Sequence, residues 1–197
     1  MPINAPNILT LLRIALIPVF VLMYFLPVSW ANIATAGFFL LAAITDWLDG
    51  YLARRWNQSS AFGAFLDPVA DKLMVAAALI MIVANPGLHP PLLSTLLFSV
   101  VVLIIIGREI AVSALREWMA EVGKRKSVAV SLVGKFKTGV QMAAILLLLY
   151  ERPILGIPAF RAGELLLYVA ALLTLWSMGV YLKAAWPELT KGEGEGG

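Results

Sequence analysis

Asp46-Trp47-Leu48-Asp49-Gly50-Tyr51-Leu52-Ala53-Arg54, followed after eight residues by Gly63-Ala64-Phe65-Leu66-Asp67-Pro68-Val69-Ala70-Asp71, decides how the chain folds. It places four carboxylates between positions 46 and 71 of an otherwise strongly apolar sequence. A charge at the centre of a bilayer costs roughly 2.5–3.5 kcal/mol on insertion scales, and four of one sign also repel each other. Such a cluster is tolerable only near the water interface or in a polar cavity, with cations to neutralise it. Hard oxygen ligands of this kind suit Mg²⁺, Ca²⁺ or Mn²⁺.

Around this stretch, 61% of the 197 residues are hydrophobic, which predicts an integral membrane protein. The length allows about six spans of ~20 residues and little else. Lys and Arg number 15 against 12 Asp and Glu. In a membrane chain that excess points to orientation and anionic lipid contact, not to nucleic acid. The absence of Cys excludes disulfides, thiolate metal sites and a Cys nucleophile, and the single histidine, His89, excludes a multi-histidine metal site. The N-terminus has no basic stretch ahead of its apolar run and no small-residue cleavage site after it, so the first apolar segment is expected to stay as a span.

Taken in order, spans are expected over Asn7–Leu26, over Ala31–Thr45 with helix continuing to Arg55, from about Phe65 to Ala84, over Leu92–Ile106 extended by Gly107–Glu121, over Val128–Tyr150, and over Ala162–Ala184. The membrane domain would cover residues 1–186, and residues 187–197, ending in Gly and Glu alone, are expected to be a disordered tail. The turns at 27–30 and 85–91 carry no Lys or Arg, and the one at 151–161 carries two. Arg13, Arg54, Arg55, Arg116, Lys124, Arg125, Lys126, Lys183 and Lys191 fall on the other side, with Lys135 and Lys137 close by. The positive-inside rule puts that side, both termini and the acidic stretch in the cytoplasm. Trp30, Trp118 and Trp186 fall near expected interfaces, Trp56 fits the same belt, and Lys124-Arg125-Lys126 suits anionic headgroups. Arg13 interrupts the first span; it either snorkels to the interface or faces the acidic cavity.

Set on a helix at about 100° per residue, Asp49 lies about 60° to one side of Asp46, Gly50 about 40° to the other, and Ala53 about 20° away. Two carboxylates and two small residues thus share one face, where a phosphorylated ligand can approach the backbone. Gly63, Asp67 and Asp71 recur every fourth residue on a second face. Together the faces would make a tetra-carboxylate site suited to two divalent cations, a common device for displacement at phosphorus. Pro68 costs little if it falls in the first turn of its helix. Salt bridges from these acids to Arg54, Arg55 and Lys72 are the structural alternative, but they leave the spacing beside Gly and Ala unexplained. Intramembrane carboxylates also mark ion pathways, so a cation or proton-coupled transporter is a rival.

D-x-x-D-G-x-x-A-R, eight residues, then G-x-x-x-D-x-x-x-D resembles the signature of the CDP-alcohol phosphotransferases, with Asp46, Asp49, Gly50, Ala53, Arg54, Gly63, Asp67 and Asp71 at its fixed positions. Asn7–Arg13, Gly107-Arg108-Glu109-Ile110 and Gly134–Thr138 resemble the bacterial branch of that family that makes phosphatidylglycerophosphate. The likeness runs to about Ala185. It implies an all-α, six-span enzyme of the bacterial inner membrane with its active site facing the cytoplasm, a homodimer, and two divalent cations, Mg²⁺ or Mn²⁺. Asp46, Asp49 and Asp67 would ligate metal, and Asp71 would share metal binding with general-base duty. Asp46, Asp49, Gly50, Ala53, Arg54 and Gly63 would receive the CDP moiety. The implied reaction moves the phosphatidyl group of CDP-diacylglycerol to glycerol-3-phosphate and releases CMP.

A dianionic acceptor needs a cationic site. Arg108, Arg116, Lys135 and Lys137 lie near the expected cytoplasmic ends of spans four and five and could supply it. Snorkelling is the plain alternative for each. Glu109 could pair with Arg116 on nearly the same face. Thr10 and Arg13 join the acceptor set through the family resemblance alone. A sister enzyme acting on inositol phosphate, serine or phosphatidylglycerol is the nearest rival, and an aspartyl-phosphate route stays open.

Overall fold

The computed structural model describes residues 5–55, 61–85, 91–124 and 132–190; within its helices, the side chains at 5–7, 47, 49, 50, 52–54, 61, 64, 65, 67, 132, 133 and 135 are outside the description. The described residues form six helices: α1 (Ala5–Tyr24), α2 (Ala31–Arg55), α3 (Ala61–Ala84), α4 (Thr95–Glu121), α5 (Leu132–Tyr150) and α6 (Ala159–Thr190). Helix is the economical solution for so apolar a chain, because every backbone N–H and C=O is satisfied within the segment. By length and composition α4 and α6 are each long and apolar enough to cross a membrane. At 1.5 Å per residue α4 is about 40 Å long and α6 about 48 Å, so both outrun a hydrocarbon layer of about 30 Å.

The helix ends follow local chemistry. Ser94 caps α4 from extended backbone, its hydroxyl accepting from the Leu97 N–H at 3.1 Å. At the other end Gly123 takes φ +75°, and the Lys124 N–H reaches the Met119 carbonyl at 2.8 Å while Gly123 N–H reaches Ala120 at 3.1 Å. This double bond past a left-handed glycine is the Schellman stop. The polar segment 107–121 is therefore the continuation of one helix and not a separate element. α6 runs through Pro187 to Thr190, four residues into the stretch expected to be tail. Its last turn is held by the Thr190 hydroxyl on the Trp186 carbonyl at 3.0 Å and by a Lys124–Glu188 contact at 3.7 Å. Residues 191–197 lie outside the described residues, as do the connector at 56–60, His89, and Arg125 and Lys126.

One apolar core runs through the bundle, with Phe39, Leu79, Ile105, Ile145, Leu148 and Leu167 fully enclosed. A smaller cluster of Val112, Met119, Tyr181 and Ala185 holds the projecting ends of α4 and α6 together. α5 and α6 pack most intimately. At Gly163 an added Cβ would stand 2.9 Å from the Ala144 carbonyl oxygen and the Leu148 nitrogen, so a side chain is excluded where the backbones meet. Outward faces are apolar as well: Leu103 is 68% exposed and Trp176 71%. Exposed apolar surface on this scale fits contact with lipid.

Among the described residues α2 and α3 touch only sparsely; α1 packs against both, and α5 also contacts each. Pro68 differs from expectation, because α3 begins at Ala61 and the proline falls inside it. It has no N–H to offer the carbonyl four residues back, which leaves that carbonyl without its helical donor beside the acidic cluster.

Candidate active site

At one end of the bundle α1, α2 and α3 bring three charged groups together. Arg13, buried on α1, donates from Nη1 to Asp46 Oδ1 on α2. The choice left open for Arg13 is thereby settled: it faces the acids and does not snorkel. Thr10, one turn earlier on the same helix, is also buried. Asp46 and Arg13 line a narrow crevice with Asp71 of α3, floored by Phe39, Met74 and Val75 of the core. A cavity of about 460 Å³ opens beside it, lined by Asp71, Lys72, Arg108, Glu109, Ser113, Arg116 and Glu117 among others. Asp71 lines both spaces. Its carboxylate feels Asp46 and Glu109 as like charges and Arg13 and Lys72 as opposite ones.

The cationic side of the cavity is built by α4, α5 and α6. Arg108 is buried; its Nη2 donates to Ser177 Oγ at 2.9 Å, and its guanidinium carbon stands 5.7 Å from the centre of the Tyr181 ring. The Ser177 hydroxyl donates to the Thr174 carbonyl at 2.9 Å, which leaves its lone pairs for the arginine. Arg108 Nε is buried with no hydrogen-bond partner among the described residues, a costly state that a ligand oxygen would relieve. Arg108 Nη1 also approaches Glu109 Oε1 at 3.7 Å. Lys137 of α5, almost wholly enclosed, donates to that same Glu109 oxygen. Glu109 thus reaches across to α5 instead of pairing with Arg116 along its own helix.

The expected site residues separate accordingly. Asp46 and Asp71 meet in the crevice. Asp49 and Asp67 occupy the expected helical positions, as do Gly50, Ala53 and Arg54, but their side chains lie outside the described residues. Gly63 is buried on the Asp71 face of α3. Of the expected acceptor set, Arg108 and Arg116 line the cavity; Lys137 stands behind Glu109; Arg13 belongs to the crevice; Thr10 lines neither space; and the Lys135 side chain is outside the description. Of the cations in the salt-bridge alternative, Arg55 donates to Tyr51 Oη at 3.1 Å and Lys72 to Ser113 Oγ, while the Arg54 side chain lies outside the described residues.

Lys72, Ser113 and Glu117 were not anticipated as site residues. For the last two a signal existed, since Glu109, Ser113, Arg116 and Glu117 form a polar stripe at helical spacing along α4. For Lys72 there was none beyond its place next to Asp71.

What the arrangement can do is hold an anion between carboxylates that suit metal and a wall of fixed cations. The known protein sequences agree. Residues 3–176 match the family model described as CDP-alcohol phosphatidyltransferase. A protein of Escherichia coli (strain K12) is 52% identical over 189 residues, covering 96% of this chain and 98% of its own length; it is named CDP-diacylglycerol–glycerol-3-phosphate 3-phosphatidyltransferase. Proteins of the same name from Shigella sonnei (strain Ss046) and Shigella flexneri serotype 5b (strain 8401) are 52% and 51% identical over the same span. An acidic crevice joined to a cationic cavity, on helices that match along nearly their whole length, has one explanation: the chain belongs to the CDP-alcohol phosphatidyltransferase family.

Proposed function

We propose that this chain transfers the phosphatidyl group of CDP-diacylglycerol to glycerol-3-phosphate, giving phosphatidylglycerophosphate and CMP, as the relatives' name describes. The observation that carries the mechanism is the double position of Asp71, on the acidic crevice and on the cationic cavity at once. The donor's diphosphate belongs at the crevice and the acceptor in the cavity, so the carboxylate between them lies where the two substrates meet.

The family is generally dependent on divalent metal. The donors here fit: Asp46 and Asp71 offer hard carboxylate oxygens to one crevice, and Asp71 is exposed there. Asp46, Asp49, Asp67 and Asp71 would hold the ions, Mg²⁺ or Mn²⁺. When bound, such ions neutralise the diphosphate and make the attacked phosphorus more electrophilic. The remaining work falls to the chain. Arg108, fixed by Ser177 and Tyr181, orients the acceptor's phosphate with Arg116 at the rim. Asp71 takes the proton of the attacking hydroxyl as the new O–P bond forms and the bond to CMP breaks. Gly50, Ala53 and Gly63 leave space for the nucleotide beside the backbone, and Arg54 meets its charge.

The same reading places all six helices across the bacterial inner membrane, with both termini and the site on the cytoplasmic side and the enzyme as a homodimer; the basic residues at the site end support that orientation. Purified protein in mixed micelles with CDP-diacylglycerol and Mg²⁺, given glycerol-3-phosphate, inositol phosphate, serine or phosphatidylglycerol in turn, tests the assignment. CMP is expected with glycerol-3-phosphate. Release with another acceptor in its place would assign the chain to a sister activity, and ion flux without CMP release would mark a transporter.

A further inference from the structure

We infer that Lys72, cradled by Ser113, joins Arg108 and Arg116 in receiving the acceptor's phosphate group and so favours phosphorylated alcohols, an inference resting on the phosphatidyl-transfer reading above. The cations of the cavity are differently committed. Lys137 spends its charge on Glu109 from behind the cavity wall, and Arg108 stands near the same carboxylate while bonded to Ser177. Lys72 gives its ammonium to a neutral hydroxyl, Ser113 Oγ. A hydroxyl orients an ammonium without cancelling its charge; Asp71, whose carboxylate feels Lys72 as an opposite charge, shares the cavity with Glu109 and Glu117, and within it Lys72 adds its ammonium to the guanidinium groups of Arg108 and Arg116.

The pair is also suited to a phosphate by its donors. An ammonium carries three N–H bonds and serine one rotatable O–H, so a phosphate oxygen entering between them accepts from both, and charge-assisted bonds of this kind are about twice as strong as neutral ones. Position completes the case. Lys72 follows Asp71 directly, their Cα atoms about 3.8 Å apart, and both line the cavity. An acceptor whose phosphate rests on Lys72 and Ser113 lies in the same cavity onto which the carboxylate assigned to take the hydroxyl proton opens. A phosphate monoester brings a dianion to Lys72; an uncharged alcohol leaves Lys72 unmatched.

The test uses full-length protein in mixed micelles, varying glycerol-3-phosphate at saturating CDP-diacylglycerol and the reverse. Lys72→Gln is expected to raise KM for glycerol-3-phosphate at least tenfold while leaving KM for CDP-diacylglycerol within twofold. Lys72→Arg should recover most of that loss, and Ser113→Ala should raise the same KM several-fold. Calorimetric binding of glycerol-3-phosphate should weaken in parallel, a readout independent of turnover. Unchanged KM for glycerol-3-phosphate in Lys72→Gln, or an equal rise for both substrates, overturns the inference; should that variant not fold, Ser113→Ala decides it by the same criteria. A wild-type protein that releases no CMP with glycerol-3-phosphate overturns the underlying reading instead.

Discussion

The two ends of the bundle use buried charge in opposite ways. At the end away from the site, Glu164 of α6 is 0% exposed. Both its carboxylate oxygens accept from the Leu92 N–H, at 2.9 and 3.0 Å, and one also accepts from Tyr168 Oη at 2.5 Å. Asn32 Nδ2 binds the Tyr150 carbonyl at 2.9 Å, and Arg152 binds the Ser29 carbonyl. These polar side chains seize loop and helix-end backbone and are consumed in doing so. At the site end Asp71 opens on two spaces, Arg108 retains a buried N–H with no partner among the described residues, and Lys72 rests on a neutral hydroxyl. Completeness of hydrogen bonding distinguishes the two ends. A satisfied buried charge fixes the fold, whereas capacity left over in a cavity is capacity for a ligand.

The sharpest way to break this contrast is Asp71→Asn. Replacing the proposed proton acceptor should lower kcat by about 10²–10⁴-fold, the usual worth of a general base, with thermal stability preserved and CDP-diacylglycerol still bound. Near-normal turnover would remove Asp71 from its role. Glu164→Ala should do the reverse. It strands the Leu92 N–H and Tyr168 hydroxyl, costing about 1.5–3 kcal/mol for a lost hydrogen bond to a charged group, read as a lower unfolding temperature in detergent, while kcat of the folded protein stays within twofold. A loss of activity without loss of stability would dissolve the distinction between the ends. The smallest effect is expected at Lys124→Ala: its half-exposed contact with Glu188 contributes at most about 1 kcal/mol, so neither stability nor turnover should move much.

Much of this was legible in the sequence because it lay along single helices. The spacing of Asp46, Asp49, Gly50 and Ala53 needs only the helical repeat to place them on one face, and α2 does run unbroken through them to Arg55. The six elements, and the concentration of Lys and Arg at one end, follow from hydropathy and charge read in order. Contacts between helices were not legible. Nothing local tells that Arg13 turns to Asp46, that Glu109 reaches α5 in preference to Arg116, or that Glu164 waits for the backbone of residue 92. The sparse meeting of α2 and α3 among the described residues was hidden for the same reason: helical periodicity orients a face but does not say which neighbour covers it. The start of α3 was misjudged because Phe65 and Pro68 looked like the beginning of a span, when the helix already forms from Ala61 beside the acids.

Metal titration of CMP release tests the central claim most directly, namely that carboxylates on two helices form one phosphate-handling crevice. Purified protein stripped with chelator and supplied with CDP-diacylglycerol and glycerol-3-phosphate should release no CMP, and restoring Mg²⁺ or Mn²⁺ should bring turnover back in proportion to occupancy. Full turnover under thorough chelation would contradict the account.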